Sequence, residues 1–357
     1  MLKLRRGLVV GTDPLTVRID DEPRPAWADT ALVGEMAEGD EVVVNTEAAD
    51  LGLGSGGFDV VHVNLTRGLQ GSGPAAGDHV MKLNYTSLQH SIDPVEPPEP
   101  ASATSAGVAR PVLVLPLHGH LAPCAWAADQ ARPGIRLGYI QTPGGALPGA
   151  LSRDVVELRR RGLLAGHVTA GAAYGGEREA VTTLGALDAA RGLDWDAILC
   201  GPGPGILGSA TLYGHGGMAA LESAHAALAL GLPTLLSPRL SASDPRPRHR
   251  GLSHHTETVL ALLLAAVRVP VPEIRLAGWP TGEDAEAVDM PSVLDALHRV
   301  CDDRHDVEVE PVELDAYERS GLPTRTMGRT LAEDPLFFAA PLAAGRALAA
   351  ASMSRGV

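Results

Sequence analysis

Two histidines separated by one residue follow a short apolar run near the middle of the chain. His118 and His120 come directly after residues 112–117, which read VLVLPL. In an extended backbone, residues i and i+2 point to the same side, so both imidazoles are able to bind one metal ion. The spacing predicts a metal site. The alternative is a pair of loop histidines with hydrogen-bonding roles only.

A second pair, His254 and His255, lies where a loop enters a predicted helix that Ser253 or Thr256 caps. Adjacent side chains on a helix diverge by about 100°, so we expect at most one of the two to face a shared site. Eight of the thirteen histidines fall between positions 118 and 255. The candidate ligands of a divalent ion such as zinc, manganese or iron are therefore His118, His120, His254 and His255.

Four arginines lie within twelve residues of an otherwise acidic chain, at positions 239, 246, 248 and 250. Guanidinium groups match the geometry of carboxylates and phosphates, so Arg248 and Arg250 are candidate substrate-binding residues. Asp244 and His249 lie in the same stretch and are the candidate catalytic groups. The Asp244 carboxylate is also a candidate to bind the metal ion directly or to hold one of its histidine ligands. The alternative is a solvated loop in an arginine-biased protein.

Glycine-rich loops offer further binding positions. Gly201, Gly203, Gly205 and Gly208 follow a predicted strand, and Gly175 and Gly176 follow another. Such loops allow backbone amides to approach a ligand closely. The spacing of positions 203, 205 and 208 fits the dinucleotide-binding pattern, but residues 209–217 intervene before the next predicted helix, so a nicotinamide cofactor is not favoured. Cys200 before this loop is a candidate nucleophile or inert packing.

Residues 248–256 (RHRGLSHHT), with His118-Gly-His120, Gly175-Gly176 and the Gly-Pro-Gly loop, resemble an uncharacterised bacterial family known only as a domain of unknown function. The resemblance extends over the whole chain and includes residues 45–48 and the LGLGSGG run at 51–57. It implies a family membership and no activity.

The elements that must position these residues are buried strands alternating with helices. Five apolar runs, each followed by one of these loops, occupy residues 112–115, 137–141, 167–170, 197–200 and 234–237. Alternation of this kind predicts a Rossmann-like, mostly parallel sheet with helices on both faces. Ligands of such sheets bind at the carboxyl ends of the strands. We therefore expect the histidine, glycine and arginine loops to meet at one edge.

The amino-terminal part has a different pattern. Short β-branched runs at 7–10, 15–19, 40–45 and 59–65 follow each other without helices, which predicts a small β-barrel or sandwich. Residues 91–110 are rich in proline and glutamate and resemble a stiff linker. The predicted domains are residues 1–90, all-β; 91–110, linker; and 111–357, the α/β domain that carries the site.

Composition limits the function classes. The formal net charge of −14 over 357 residues argues against a nucleic-acid binder, because phosphate backbones require a basic face. Three distant cysteines indicate neither a disulfide framework nor a thiolate zinc site. The longest uninterrupted aliphatic stretch near the middle of the chain, residues 259–267, is half the length of a membrane span. We expect a soluble, cytoplasmic protein without a membrane partner, and a homo-oligomer stays open.

The leading hypothesis is a metal-dependent hydrolase that acts on a small anionic substrate, such as a phosphate ester or nucleotide-like compound. The second hypothesis is a non-catalytic regulatory protein that binds a nucleotide or another anion in the same loops. A third is a scaffold protein with structural loops, which predicts no stabilisation by ligands.

Overall fold

The structure is a computed structural model that describes residues 2–53, 56–69, 77, 79–96, 109–209, 211–274 and 290–353. The chain divides into two compact units, Met1–Asp93 and Pro94–Val357. The predicted linker overlaps this division: His90–Ile92 is a strand of the first unit, and the amide of Val95 donates to the carbonyl of Glu179 in the second. Residues 97–108 of that segment lie outside the described residues.

The first unit is built on a closed five-stranded barrel with the strand order β1-β2-β3-β5-β4. In β4, Val42 and Val44 are buried, whereas Glu41, Val43 and Asn45 are half-buried. Side chains therefore alternate between the interior and the outside of the barrel, as predicted. The predicted amino-terminal barrel is confirmed. The helices and strands of the first unit are β1 Leu4–Thr12, β2 Leu15–Ile19, β3 Glu22–Trp27, α1 Thr30–Val33, β4 Glu41–Asn45, α2 Glu47–Asp50, β5 Asp59–Asn64, β6 Val80–Lys82 and β7 His90–Ile92.

The second unit is built on an eight-stranded sheet in which every neighbouring pair is parallel. The strand order is β11-β10-β9-β12-β8-β13-β16-β17. Its strands are β8 Val112–Val114, β9 Leu137–Thr142, β10 Gly166–Ala170, β11 Arg178–Ala180, β12 Ala197–Pro202, β13 Thr234–Leu236, β16 Arg268–Glu273 and β17 Asp306–Pro311. The short strands β14 Leu240–Ser241 with β15 Gly251–Leu252, and β18 Arg325–Thr326 with β19 Arg329–Thr330, form two hairpin pairs outside it.

Helices cover both faces of this sheet, which confirms the predicted α/β architecture. They are α3 Leu121–Ala131, α4 Arg153–Arg160, α5 Thr183–Ala189, α6 Ala219–Ala229, α7 His254–Leu262, α8 Met290–Cys301, α9 Leu314–Glu318 and α10 Pro335–Met353. One core packs α5, α6 and α8 on the sheet, and the other packs α3 and α10. Local capping agrees with the sequence: Ser152 and Thr182 accept backbone amides at the starts of α4 and α5.

Helix α10 is the centre of one core. By length and composition it is apolar enough to cross a membrane, but 72% of its most apolar window is buried inside the protein, as in a core helix. It crosses α3 so closely that a Cβ at Gly345 would overlap the backbone of Cys124. Small residues on both helices permit this approach.

Candidate functional site

The loops after β8, β9, β10, β12 and β13 leave the same edge of the sheet, because these strands are parallel. A cavity of about 640 Å³ lies among several of these loops. Its lining comes from the loops after β8, β12 and β13, the start of α7 and the β18–β19 turn. The charged and imidazole groups that line it are His118, His215, Arg239, Arg246, Arg248, His249, His254, His255 and Arg325.

Four of these histidines form one cluster. The rings of His215 and His255 are stacked with centroids 3.6 Å apart and an interplanar angle of 8°. His254 contacts His255 at 4.4 Å, and His249 lies 4.9 Å from His254 and 4.8 Å from His255, measured between centroids. We call these four residues the histidine cluster.

Three members of the cluster lie close enough together to be candidate metal ligands. One ring nitrogen from each of His215, His254 and His255 lies within 4.8 Å of the others. His215 Nε2 contacts the carbonyl of Leu212 at 3.0 Å, and no group among the described residues pairs with its buried Nδ1. A metal-binding histidine typically donates its other nitrogen to a carbonyl in this way. His254 Nε2 is likewise buried without a partner in the described part of the chain.

The cluster is held in the neutral state. Burial lowers the pKa of all four imidazoles, and the charges of nearby histidines and arginines lower it further. The pKa falls to about 2 for His255 and to about 3 for His249. Only the neutral imidazole has a lone pair to offer, so each ring keeps an acceptor nitrogen at neutral pH.

Beside the cluster, three guanidinium groups share one buried carboxylate oxygen. Asp244 Oδ2 lies 3.3 Å from Arg239, 2.9 Å from Arg246 and 3.4 Å from Arg329, which also pairs with Asp334 at 3.0 Å. Three positive charges therefore meet two negative ones. This imbalance favours an anion in the cavity.

The arginines also set the charge of the cavity wall. Arg239 is buried, and its Nε has no hydrogen-bond partner among the residues described. Burial lowers the pKa of Arg239 to about 10, so the group stays charged at neutral pH. Arg248 and Arg325 add two more guanidinium groups to the lining, and no aspartate or glutamate of the described residues lines the cavity. The wall is therefore cationic.

His118 and His120 do not act as a pair. Residues His118–His120 form a 3-10 turn rather than extended backbone, so the two rings point apart. His118 Nε2 lies 2.7 Å from Ser152 Oγ, whereas His120 Nδ1 lies 2.8 Å from Ser237 Oγ and its ring packs on Phe337. The expectation that both imidazoles face one side was wrong. His118 lines the cavity and His120 is fully buried.

His254 and His255, in contrast, both line the cavity. The expectation that only one of them faces the site was wrong, because they occupy the first turn of α7 and the cavity wraps around the helix end. Ser253 caps this helix, with its side chain accepting the amide of His255. The cap keeps the pair at the carboxyl edge of the sheet.

The remaining predicted polar residues are divided by the structure. His249 and Arg248 line the cavity. Asp244 is fully buried behind it, where it holds the arginines and belongs to no group of potential metal ligands that the described residues form. Arg250 is half-buried and is not part of the lining.

The glycines are also divided. Gly205 and Gly208 line the cavity. At Gly201 and Gly203 a Cβ would collide with Leu115 and with the backbone of Ala146, so these glycines serve close packing. The amides of Gly175 and Gly176 donate to Glu179 and Thr169 and are not available to a ligand. Cys200 is buried, which raises the pKa of its thiol to about 12 and argues against a nucleophile.

Sequence reasoning did not single out five groups of this site: His215, Arg239, Arg246, Arg325 and Met327. His215 and Arg239 lie inside the histidine- and arginine-rich part of the chain, which was the available signal. Arg325 and Met327 lie more than sixty residues further on and carry no motif.

The comparisons with known proteins place the chain without naming an activity. No curated protein and no solved structure matches it. One family model, described as Protein of unknown function (DUF3866), matches residues 25–345. The match includes barrel strands β4 and β5 and the whole sheet that carries the cavity, but begins after β1 and β2. The chain therefore belongs to this family, as the resemblance in its histidine and glycine motifs indicated.

Proposed function

We propose that the protein is a metal-dependent hydrolase that acts on a small anionic substrate such as a phosphate ester. One observation carries the proposal: three neutral imidazoles with converging nitrogens share a cavity with an excess of guanidinium groups. A metal site next to an anion site is one arrangement that hydrolyses phosphate esters. The cavity volume of about 640 Å³ suits a small molecule.

In this proposal His215, His254 and His255 hold a divalent ion, for which zinc, manganese and iron are the candidates. Such an ion, when bound, lowers the pKa of a water ligand to about 7 and so supplies a nucleophile at neutral pH. Arg248 and Arg325 bind the negative charge of the substrate, supported by Arg239. His249, a neutral imidazole in the same wall, is the candidate proton-transfer group.

A second function, anion binding without turnover, is favoured by a specific contact. Arg239 Nη1 lies 3.4 Å from His255 Nδ1, so a cation already approaches one potential metal ligand. The lining also lacks a carboxylate among its described residues, and carboxylates commonly complete hydrolytic metal sites. In this alternative the histidines are neutral hydrogen-bonding groups around a bound anion.

We also propose a cytoplasmic location. The three cysteines are buried and free, which suits a reducing compartment. The partner in this proposal is a small anionic molecule, which the guanidinium groups of the cavity would bind.

Elemental analysis of protein purified without a histidine tag separates the two functions. We expect near-stoichiometric transition metal in the wild type and its loss in His215→Ala and His254→Ala. His298→Ala removes an exposed histidine of α8 and is the matched control. Gly217→Ala is a sharper variant, because the new Cβ would lie 2.9 Å from His255 Nδ1 and 3.0 Å from His215 Nδ1. It should exclude the ion while leaving the arginines in place.

Hydrolysis of a probe ester, p-nitrophenyl phosphate, is measured in parallel with the metal content. Activity that follows the metal through these variants supports the hydrolase. Protein that stays metal-free after incubation with zinc, manganese or iron, yet is stabilised by phosphate, establishes the anion-binding alternative instead. Metal without turnover of any anionic ester contradicts the enzymatic proposal.

A further inference from the structure

One methionine sulfur lies against the arginines of the cavity. Met327 is in the turn between β18 and β19, and its Sδ is 3.6 Å from Arg239 Nη2 and 3.6 Å from Arg246 Nη2. A thioether is a weak hydrogen-bond acceptor. Both nitrogens also donate to Asp244, so it is the second N–H of each that meets this poor partner, which an anion is able to displace.

The backbone holds Met327 in this place. Its φ is 44°, in the left-handed region that disfavours residues other than glycine, asparagine and aspartate. The same hairpin is tied down by Arg329, which pairs with Asp244 and Asp334. Met327 is nevertheless 48% exposed, so a dissolved reagent is able to reach it.

We propose that Met327 is a site of oxidation by hydroperoxides and that its oxidation closes the anion site. The sulfur lone pair attacks one oxygen of hydrogen peroxide, the S–O bond forms and the O–O bond breaks. The transferred oxygen gives its proton to the departing hydroxide, which leaves as water. The thioether is oxidised to the sulfoxide and the peroxide is reduced, so no other reactant is required.

The sulfoxide oxygen is a strong acceptor at the end of the same side chain. It forms charge-assisted hydrogen bonds with Arg239 and Arg246 and competes with any anion for them. The competition is intramolecular, so dilution does not relieve it. This inference rests on the anion site of the proposed function and is independent of whether a metal ion or turnover is present.

The test is calorimetric titration of the full-length protein with inorganic phosphate before and after treatment with hydrogen peroxide. Peptide mass spectrometry follows the gain of oxygen at each methionine. Met81 and Met353 are 47% and 58% exposed and serve as internal controls, since neither belongs to the lining of the cavity. The matched variant is Met327→Leu, with its own Kd for phosphate measured before and after the same treatment.

We expect oxidation to weaken phosphate binding by the wild type about tenfold, the factor that one charge-assisted hydrogen bond contributes. Met327→Leu should show no change while Met81 and Met353 are oxidised, and a methionine sulfoxide reductase should restore the wild type. Equal Kd values in reduced and oxidised wild type, or equal losses in both proteins, overturn the inference and leave the proposed function intact. Reduced wild type that binds no phosphate overturns the anion site itself and this inference with it.

Discussion

Neutralising Asp244 tests whether this one carboxylate holds the arginine group together. Asp244 is fully buried, and its Oδ2 accepts from Arg239, Arg246 and Arg329 at distances of 2.9–3.4 Å. Burial on its own would raise the pKa of Asp244, but hydrogen bonds from Arg246 and the charges of Arg246 and Arg329 lower it well below its usual range. The substitution Asp244→Asn keeps the shape and removes the charge.

The magnitude follows from the burial of the pair. Removing one partner of a buried ion pair destabilises a protein by about 3–5 kcal/mol, because the remaining charge stays buried without compensation. In a unit as large as Pro94–Val357, each kcal/mol lowers the Tm by about 2 °C. We therefore expect Asp244→Asn to lower the Tm of this unit by about 6–10 °C.

Thermal unfolding followed by near-ultraviolet circular dichroism is the assay, with Asp194→Asn as the matched control. The Asp194 side chain is 85% exposed and pairs with Arg136 at 2.9 Å on the surface, so its neutralisation should change stability by less than about 1 kcal/mol. Inorganic phosphate should raise the Tm of Asp244→Asn more than that of the wild type, because the variant has one more uncompensated positive charge. A Tm equal to that of Asp194→Asn, or no added effect of phosphate, would refute the reasoning.

Two further predictions concern stability. Burial and the charge of Arg239 lower the pKa of His120 to about 3. Since the unfolded value is about 6.5, the unfolded state binds the extra proton, and stability is lost as the pH falls below about 6.5 by up to about 1.4 kcal/mol per pH unit. Between pH 6.5 and 5 the Tm of His120→Asn should therefore fall less steeply than that of the wild type, and identical slopes would contradict this. In strand β9, a Cβ at Gly138 would overlap the Trp195 ring, whereas at Gly192 it would meet nothing within 4 Å. Gly138→Ala should cost about 3 kcal/mol and Gly192→Ala less than about 0.5 kcal/mol in thermal unfolding, and equal Tm values would count against the packing argument.

The strands of the second unit could be predicted because their composition is unambiguous. Residues of β9, β10 and β12 are buried without exception, and near-continuous apolar runs such as residues 197–200 are typical of parallel sheets covered on both faces. Helix faces were less predictable. The spacing of Val181, Leu184 and Leu187 would place all three on one buried face of a helix. Val181 and Leu184 are instead 47% and 44% exposed, since α5 begins only at Thr183 and turns Leu184 outward.

The sequence indicated which loops line the cavity, but not which of their side chains meet there. The density of histidine and arginine between positions 118 and 255 indicated metal and anion chemistry, and parallel strands placed the loops at one edge. Whether His118 and His120 face the same point depended on a local backbone turn. In the 3-10 turn at His118–His120 the two rings diverge, a geometry that the His-x-His spacing does not distinguish from an extended segment.

The sequence by itself determined the properties that depend on neighbouring residues. These are the alternation in the barrel, the buried strands and the cationic, histidine-rich character of the loops that follow those strands. Because the strands are parallel, it also determined that these loops lie at one edge of the sheet. Only the tertiary structure decided which groups meet. His215, from the loop after β12, contacts His255 in the first turn of α7. Met327, in the turn between β18 and β19, contacts Arg239. Such pairs are brought together by strand order and loop closure, and spacing along the chain carries no information about either.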